Sequence, residues 1–204
     1  MFTFLVNYNY TPTWLLTSGL DYIIHDRSDN KDYLKDFPQD KIVYEENIGN
    51  VDFPKLSYLV ENYDSLPDVF LWSKTNLFKY ITPEEYEKVK DNKVFTPLLS
   101  QNHRTYSDDK GVVCYYKDGM YYERNPLISG SGKYFLSYPE FAKALGLPNP
   151  DYLPFAPGGS YILTRETVHK YPKESYMKMR DLLDYTKLPL EAYFCERAYY
   201  TLWR

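Results

Sequence analysis

Cysteine is scarce: Cys114 and Cys195 are the only two in 204 residues. Both stand in apolar or aromatic surroundings at no metal-ligand spacing. That excludes a disulfide framework and a CxxC metal or redox site, and it fits two buried thiols in a reducing compartment. Long apolar runs are missing too. The N-terminal "MFTFLVNYNY" has no basic segment, and its apolar stretch of about five residues is too short for a secretory signal or a membrane span. No membrane span is therefore expected, and a cytoplasmic location is. Charge of one sign is also lacking. Basic residues number 24 against 28 acidic ones, with no run of five like charges. A nucleic-acid partner needs a clustered basic surface, so none is expected.

Several catalytic signatures are absent. No GxGxxG follows the first apolar run, and there is no Walker loop, HExxH or GxSxG. His25, His103 and His169 are isolated and read as structural. Dinucleotide-dependent redox chemistry, P-loop phosphoryl transfer, zinc proteolysis and α/β-hydrolase chemistry all lose their fingerprints.

Tyrosine is abundant instead, 24 residues alongside 11 Phe and 3 Trp. Its flat apolar ring and hydroxyl suit stacking on sugars or bases. The alternative is the compositional bias of an A/T-rich genome.

The pattern alternates strands with helices. Strands are predicted over 2–8, 21–26, 41–46, 67–72, 94–99 and 160–164, with a hairpin over 112–123. Helices are predicted over 11–19, 53–66, 82–90, 137–146, 173–186 and 189–203. Thr11 and Thr82 read as N-caps, each followed by proline at the first helical position, and Gly146 reads as a helix stop. The fold class is therefore α/β: a single central, mostly parallel (mixed) β-sheet flanked by α-helices, in one domain over 1–204. The last helix runs into "YYTLWR" without a stop signal. It reads as the end of a domain cut from a longer polypeptide, or as a helix whose last turn packs elsewhere. Ligands of such sheets bind at the carboxyl ends of the strands. Functional residues are expected in Asn7–Tyr10, Asp26–Asp29, Asn47–Asn50 and Ser73–Asn76.

These ordered strand-end turns carry a resemblance. "FTFLVNYN", "DYIIHDRSDN", "KIVYEENIGN", a helix and then "DVFLWSKTN" resemble the nucleotide-sugar half of a GT-A fold glycosyltransferase. The whole chain resembles the N-terminal glycosyltransferase domain of a multidomain chlorovirus protein. The resemblance implies a UDP-sugar donor, UDP-glucose or a relative such as UDP-L-rhamnose, and a glycan acceptor. It also implies a divalent metal (Mn2+, or Mg2+), a retaining reaction, further domains and a viral setting in the host cytoplasm. Residues 1–100 would form the nucleotide-sugar half and 101–204 the acceptor side.

The resemblance also distributes roles. Asn7, Tyr8, Tyr10, Asp26 and Arg27 would bind the nucleoside, with Asn47, Gly49 and Asn50 in a turn where glycine admits a ligand close to the backbone. Lys55 and Arg165 would reach phosphate. The family's Asp-x-Asp is replaced by "WSKTN", whose Ser73, Thr75 and Asn76 are neutral, whereas a hard cation wants anionic oxygens. Ser73, Thr75 and Asp108 are the candidate metal ligands, and the loop 102–111 with His103, Arg104 and Asp109 is a second place to seek one. Without a metal, a basic residue such as Lys74, Arg104 or Arg165 would neutralise the departing diphosphate. Gly158, Gly159, Ser160 and Tyr161 would face the acceptor sugar. Glu191 and Glu196 are the candidate catalytic carboxylates, as base in an inverting enzyme or as stabiliser or nucleophile in a retaining one. They lie about 140° apart around a helix, so they do not share a face. Each site has an ordinary structural alternative, a turn, a helix cap or a solvated charge. A non-catalytic sugar-binding domain on the same fold is the alternative function.

Overall fold

The computed structural model describes residues 1–100, 105–117, 119–124 and 132–204. In chain order its elements begin with β1 (Phe2–Asn7), α1 (Thr13–Leu16), β2 (Asp21–Asp26), β3 (Ile42–Tyr44), α2 (Asp52–Glu61), β4 (Val69–Lys74) and α3 (Pro83–Val89). They continue with β5 (Thr96–Pro97), β6 (Tyr106–Asp108), β7 (Gly111–Lys117), β8 (Met120–Arg124), α4 (Tyr138–Leu145) and β9 (Tyr152–Phe155). The chain closes with β10 (Tyr161–Thr164), α5 (Arg165–Val168), α6 (Lys173–Asp181) and α7 (Leu190–Trp203).

The main sheet has six strands in the order β3-β2-β1-β4-β10-β5. The pairings β3–β2, β2–β1 and β1–β4 are parallel, and β10 is antiparallel to both β4 and β5. The α/β class with a mixed sheet thus stands. Its central strands alternate between two apolar faces. Phe4, Val6, Phe70, Trp72, Tyr161 and Leu163 join the large core under α2, α4, α6 and α7. Leu5 and Ile24 enter a second cluster with Leu15 and Phe37, while Leu71 and Ile162 enter a third with Leu77 and Tyr86. Burial on both faces explains why these strands read as continuous apolar runs.

Local signals set several ends. The Thr82 hydroxyl accepts from Glu85 N–H at 3.2 Å while Glu85 accepts from Thr82 N–H at 3.1 Å, a closed capping box with Pro83 at the first position. Gly146 ends α4 in the left-handed region at φ +67°. Thr11 is not a cap: the Pro12 position precedes α1, which spans one turn only. The strand expected over 94–99 shrinks to Thr96–Pro97.

A second, antiparallel sheet, ordered β6-β7-β8-β9, was only partly foreseen. Its hairpin β7–β8 lies where expected, whereas β6 falls in the segment read as loop and β9 was not anticipated. Strand β9 packs on α7, which joins this sheet to the main core.

Replacing Thr82 by Ala should cost about 1 kcal/mol through loss of the cap. Urea unfolding of the variant should show a lower midpoint with an unchanged slope.

Candidate functional site

The chain leaves β1, β2 and β4 at the same edge of the sheet. Strands β2 and β3 lie on one side of β1 and β4 on the other, so the connection reverses direction between β1 and β4. A crevice forms at such a switch point. Here it is a cleft of about 290 Å³. Val6 and Tyr8 enter it from the end of β1, and Arg27 from the end of β2. Asn47, Asn50 and Val51 come from the turn before α2. Lys74, Thr75, Asn76 and Tyr80 follow β4, and Lys187 and Leu188 come from the loop before α7.

Asn7, wholly buried, ties the three strand ends together. Its Nδ2 donates to Asp26 Oδ1 at 2.9 Å and Ser28 Oγ at 3.1 Å, and its Oδ1 accepts from Thr75 Oγ1 at 2.5 Å. Beyond it, Tyr8 OH and Asn9 Nδ2 donate to Asp29 Oδ2 at 3.2 and 3.1 Å. Those bonds hold the Asp29 carboxyl below its ordinary pKa.

Arg27 is fixed by the turn it faces. Its Nε and Nη2 donate to Glu46 O at 3.1 Å, and Nη2 also donates to Ile48 O. Burial lowers its pKa to about 10, which leaves it a cation at neutral pH. Three buried polar atoms here have no hydrogen-bond partner among the described residues: Asp26 Oδ2, Arg27 Nη1 and Asn76 Oδ1. An unsatisfied buried polar atom costs about 1–3 kcal/mol, so three at one strand-end rim suit a polar ligand.

Thus Tyr8, Arg27, Asn47, Asn50 and Thr75 line one cleft. Asp26 stands behind them through Asn7 and Ser28. Other expected residues lie elsewhere. Tyr10 is exposed and outside the cleft lining. Gly49 (φ +74°) faces inward: a Cβ there would lie 2.5 Å from Phe53 Cβ and 3.0 Å from Leu183 O. It serves close packing of α2 rather than approach of a ligand. Arg165 sits at the opposite edge of the sheet, donating to Leu66 O at 2.6 Å and pairing with Asp68 at 3.1 Å. Ser73 turns away from the cleft to donate to Ser160 Oγ at 2.8 Å. Asp108 belongs to the second sheet and pairs with Arg124 at 2.5 Å. Ser73, Thr75 and Asp108 therefore do not gather round one point. Among the described residues no group of three His, Cys, Asp or Glu side chains is placed to hold a metal. His103 and Arg104 lie outside the described residues.

Lys55 and the expected acceptor turn form a buried layer beneath the cleft. Lys55 Nζ donates to Gly159 O at 2.5 Å and lies 4.4 Å over the Trp72 ring. Asp52, one turn earlier, accepts from Tyr199 OH at 2.9 Å. Burial pushes the Asp52 carboxyl up and the Lys55 ammonium down, each opposed by attraction to the other. Glu196 Oε1 accepts from Gly158 N–H at 2.9 Å, and its Oε2 pairs with Arg197 at 2.5 Å. Gly158, at φ +88°, lies under the Tyr80 ring, which a Cβ would meet at 2.6 Å. The bare backbone is thus covered by Tyr80, a cleft residue. Tyr161 is a core ring packed against Trp72, Phe95 and Trp203. Glu191 is buried too: Oε1 accepts from Tyr134 N–H at 2.8 Å and Phe135 N–H at 3.3 Å, and Oε2 from Tyr185 OH at 2.5 Å. Neither glutamate lines the cleft.

Tyr80, Lys187 and Leu188 were not anticipated. Lys187 arrives because Gly49 N–H donates to Thr186 O at 2.7 Å and Asn50 N–H to Lys187 O at 2.9 Å. No sequence signal announces that pairing.

Comparison with models of known protein families, with curated proteins and with solved structures finds no match. Among the described residues no helix is long and apolar enough to cross a membrane.

Lys55→Met should lower stability by about 1–3 kcal/mol, because it leaves the buried Gly159 carbonyl without its donor and removes the cation that attracts buried Asp52. The double variant Lys55→Met/Asp52→Leu should recover part of that loss. Thermal unfolding of the three proteins measures both effects.

Proposed function

We propose that the cleft binds a nucleoside diphosphate sugar and that the chain is a glycosyltransferase of the GT-A kind. The donor is a UDP-sugar, UDP-glucose or a relative such as UDP-L-rhamnose, and the acceptor is a hydroxyl of a glycan. The observation that carries the reading is the convergence of Tyr8, Arg27, Asn47, Asn50 and Thr75 on one polar cleft at the switch point of the sheet. Fold alone assigns no function, and the site chemistry supports the reading. The half-exposed Tyr8 ring offers a face to a base, and the two asparagine amides and Arg27 offer hydrogen bonds to base edges and ribose. Lys74, Thr75 and Asn76 then flank the diphosphate, and the sugar lies toward Tyr80.

The transfer breaks the bond between the anomeric carbon and the β-phosphate oxygen, and both electrons stay on that oxygen. The acceptor oxygen forms the new bond to the anomeric carbon. Among the described residues no carboxylate lines the cleft. The departing phosphate oxygen therefore collects the acceptor proton, which requires attack from the same face and gives retention. The protein contributes positioning and charge stabilisation.

The same lack of a cleft carboxylate favours a second reading, a non-catalytic sugar-nucleotide-binding module. Incubation with UDP-glucose and UDP-L-rhamnose, followed by NMR, separates the two: transfer or hydrolysis marks the enzyme, and a bound but intact donor marks the module.

Calorimetry should show UDP binding to the wild type. Asn76→Ala should weaken it by about tenfold, roughly one lost hydrogen bond, with a melting temperature near wild type. Failure of every uridine nucleotide to bind would remove the donor assignment.

A further inference from the structure

The metal expected from the resemblance does not fit the residues present. A hard divalent cation takes anionic oxygens. Ser73 faces Ser160, the Thr75 hydroxyl donates to Asn7, and Asp108 is paired with Arg124 in the other sheet. Among the described residues, the charged side chains lining the cleft are instead Arg27, Lys74 and Lys187. These would repel a dication and attract a diphosphate.

We propose that this cleft binds a diphosphate without a divalent metal, through a cage of the three cations Arg27, Lys74 and Lys187. The proposal rests on the nucleoside diphosphate reading above and adds how the anion is neutralised.

Each cation comes from a different element and is held in place by that element. Arg27 is clamped by the carbonyls of Glu46 and Ile48, and its Nη1 has no hydrogen-bond partner among the described residues. Lys74 ends β4, and because side chains alternate along a strand it is turned away from the side that Ser73 uses for Ser160. Its Nζ lies 5.5 Å from the centre of the Tyr80 ring, a contact that leaves the ammonium's hydrogen-bonding capacity for an anion. Lys187 is delivered by two backbone bonds from the turn before α2, Gly49 N–H to Thr186 O and Asn50 N–H to Lys187 O. There it lines the cleft beside Leu188. Three elements distant in sequence therefore bring positive charge to one cleft, although the chain as a whole is acidic at −4. A diphosphate ester carries about two negative charges and a departing nucleoside diphosphate about three, which the three cations match.

Calorimetry with UDP, uridine and inorganic pyrophosphate, each in EDTA and in manganese, tests the proposal on the whole chain. The UDP dissociation constant should agree within about twofold between the two buffers. Lys74→Gln and Lys187→Gln should each weaken UDP and pyrophosphate by about tenfold while leaving uridine unchanged. The affinity for UDP should also fall steeply with salt. UDP binding tenfold or more tighter in manganese than in EDTA would overturn the metal-free cage and leave the donor reading standing. UDP affinity unmoved by both lysine variants would overturn it as well. Pyrophosphate bound in EDTA, with no uridine nucleotide bound at all, would keep the cage and discard the uridine donor. If neither UDP nor pyrophosphate binds in EDTA, the cage is refuted.

Discussion

The amide of Asn7 joins the ends of three parallel strands, giving both its protons to the β2 end and taking one from Thr75 after β4. A buried amide has few ways to be satisfied, and leaving one side unmet costs about 1–3 kcal/mol. The arrangement therefore fixes the relative heights of Asp26 and Thr75. That in turn sets where Arg27, Lys74 and Asn76 face the cleft. The parallel register of β1 with β2 and β4 supplies the frame, and Asn7 supplies the lock at its open end.

Beneath this rim lies a second polar layer with a different purpose. Lys55, Asp52, Glu196, Arg197 and Glu123 are held among aromatic rings between the sheet and α7. Buried charges tolerate such a place only when paired and hydrogen-bonded. Here the pairs end on backbone groups of the Gly158–Gly159 turn, Lys55 on a carbonyl and Glu196 on an N–H. The turn is thereby gripped from both sides, and Tyr80 rests on it. Rigidity at the cleft wall thus comes from charges that never reach the cleft.

How much was legible in the sequence depended on how local the cause was. The ends of α3 and α4 follow from Thr82, Glu85 and Gly146 acting within a few residues, and all three were readable. Strands β1, β2 and β4 were readable as apolar runs, and their polar tips followed from the rule that parallel sheets bind at carboxyl ends. Strand β9 was not, because Pro154 in "YLPF" argues against a strand, yet β9 is an edge that tolerates it. Strand β6 has three exposed residues and no apolar alternation. At the site, Lys187 was invisible because two backbone hydrogen bonds, not a motif, bring it there. Gly49 and Gly158 were rightly singled out as special, but what meets them is Leu183 and Tyr80. A sequence shows that a glycine is needed without showing which neighbour needs it.

The glutamates complete the argument about charge. Glu191 and Glu196 sit on α7, near enough in sequence to the cleft loop to invite a catalytic role. Glu191 gives one oxygen to the N–H groups of Tyr134 and Phe135 and the other to the Tyr185 hydroxyl. Glu196 gives one to Gly158 N–H and one to Arg197. A carboxylate with both oxygens engaged, buried as Glu191 is or half-buried as Glu196 is, is held in place by its partners, and moving it into the cleft would strand those partners. The fold thus draws these two acids away from the cleft and leaves Arg27, Lys74 and Lys187 at its wall. Discrimination comes as much from what a site repels as from what it attracts. A wall of this sign repels cations and attracts an anion.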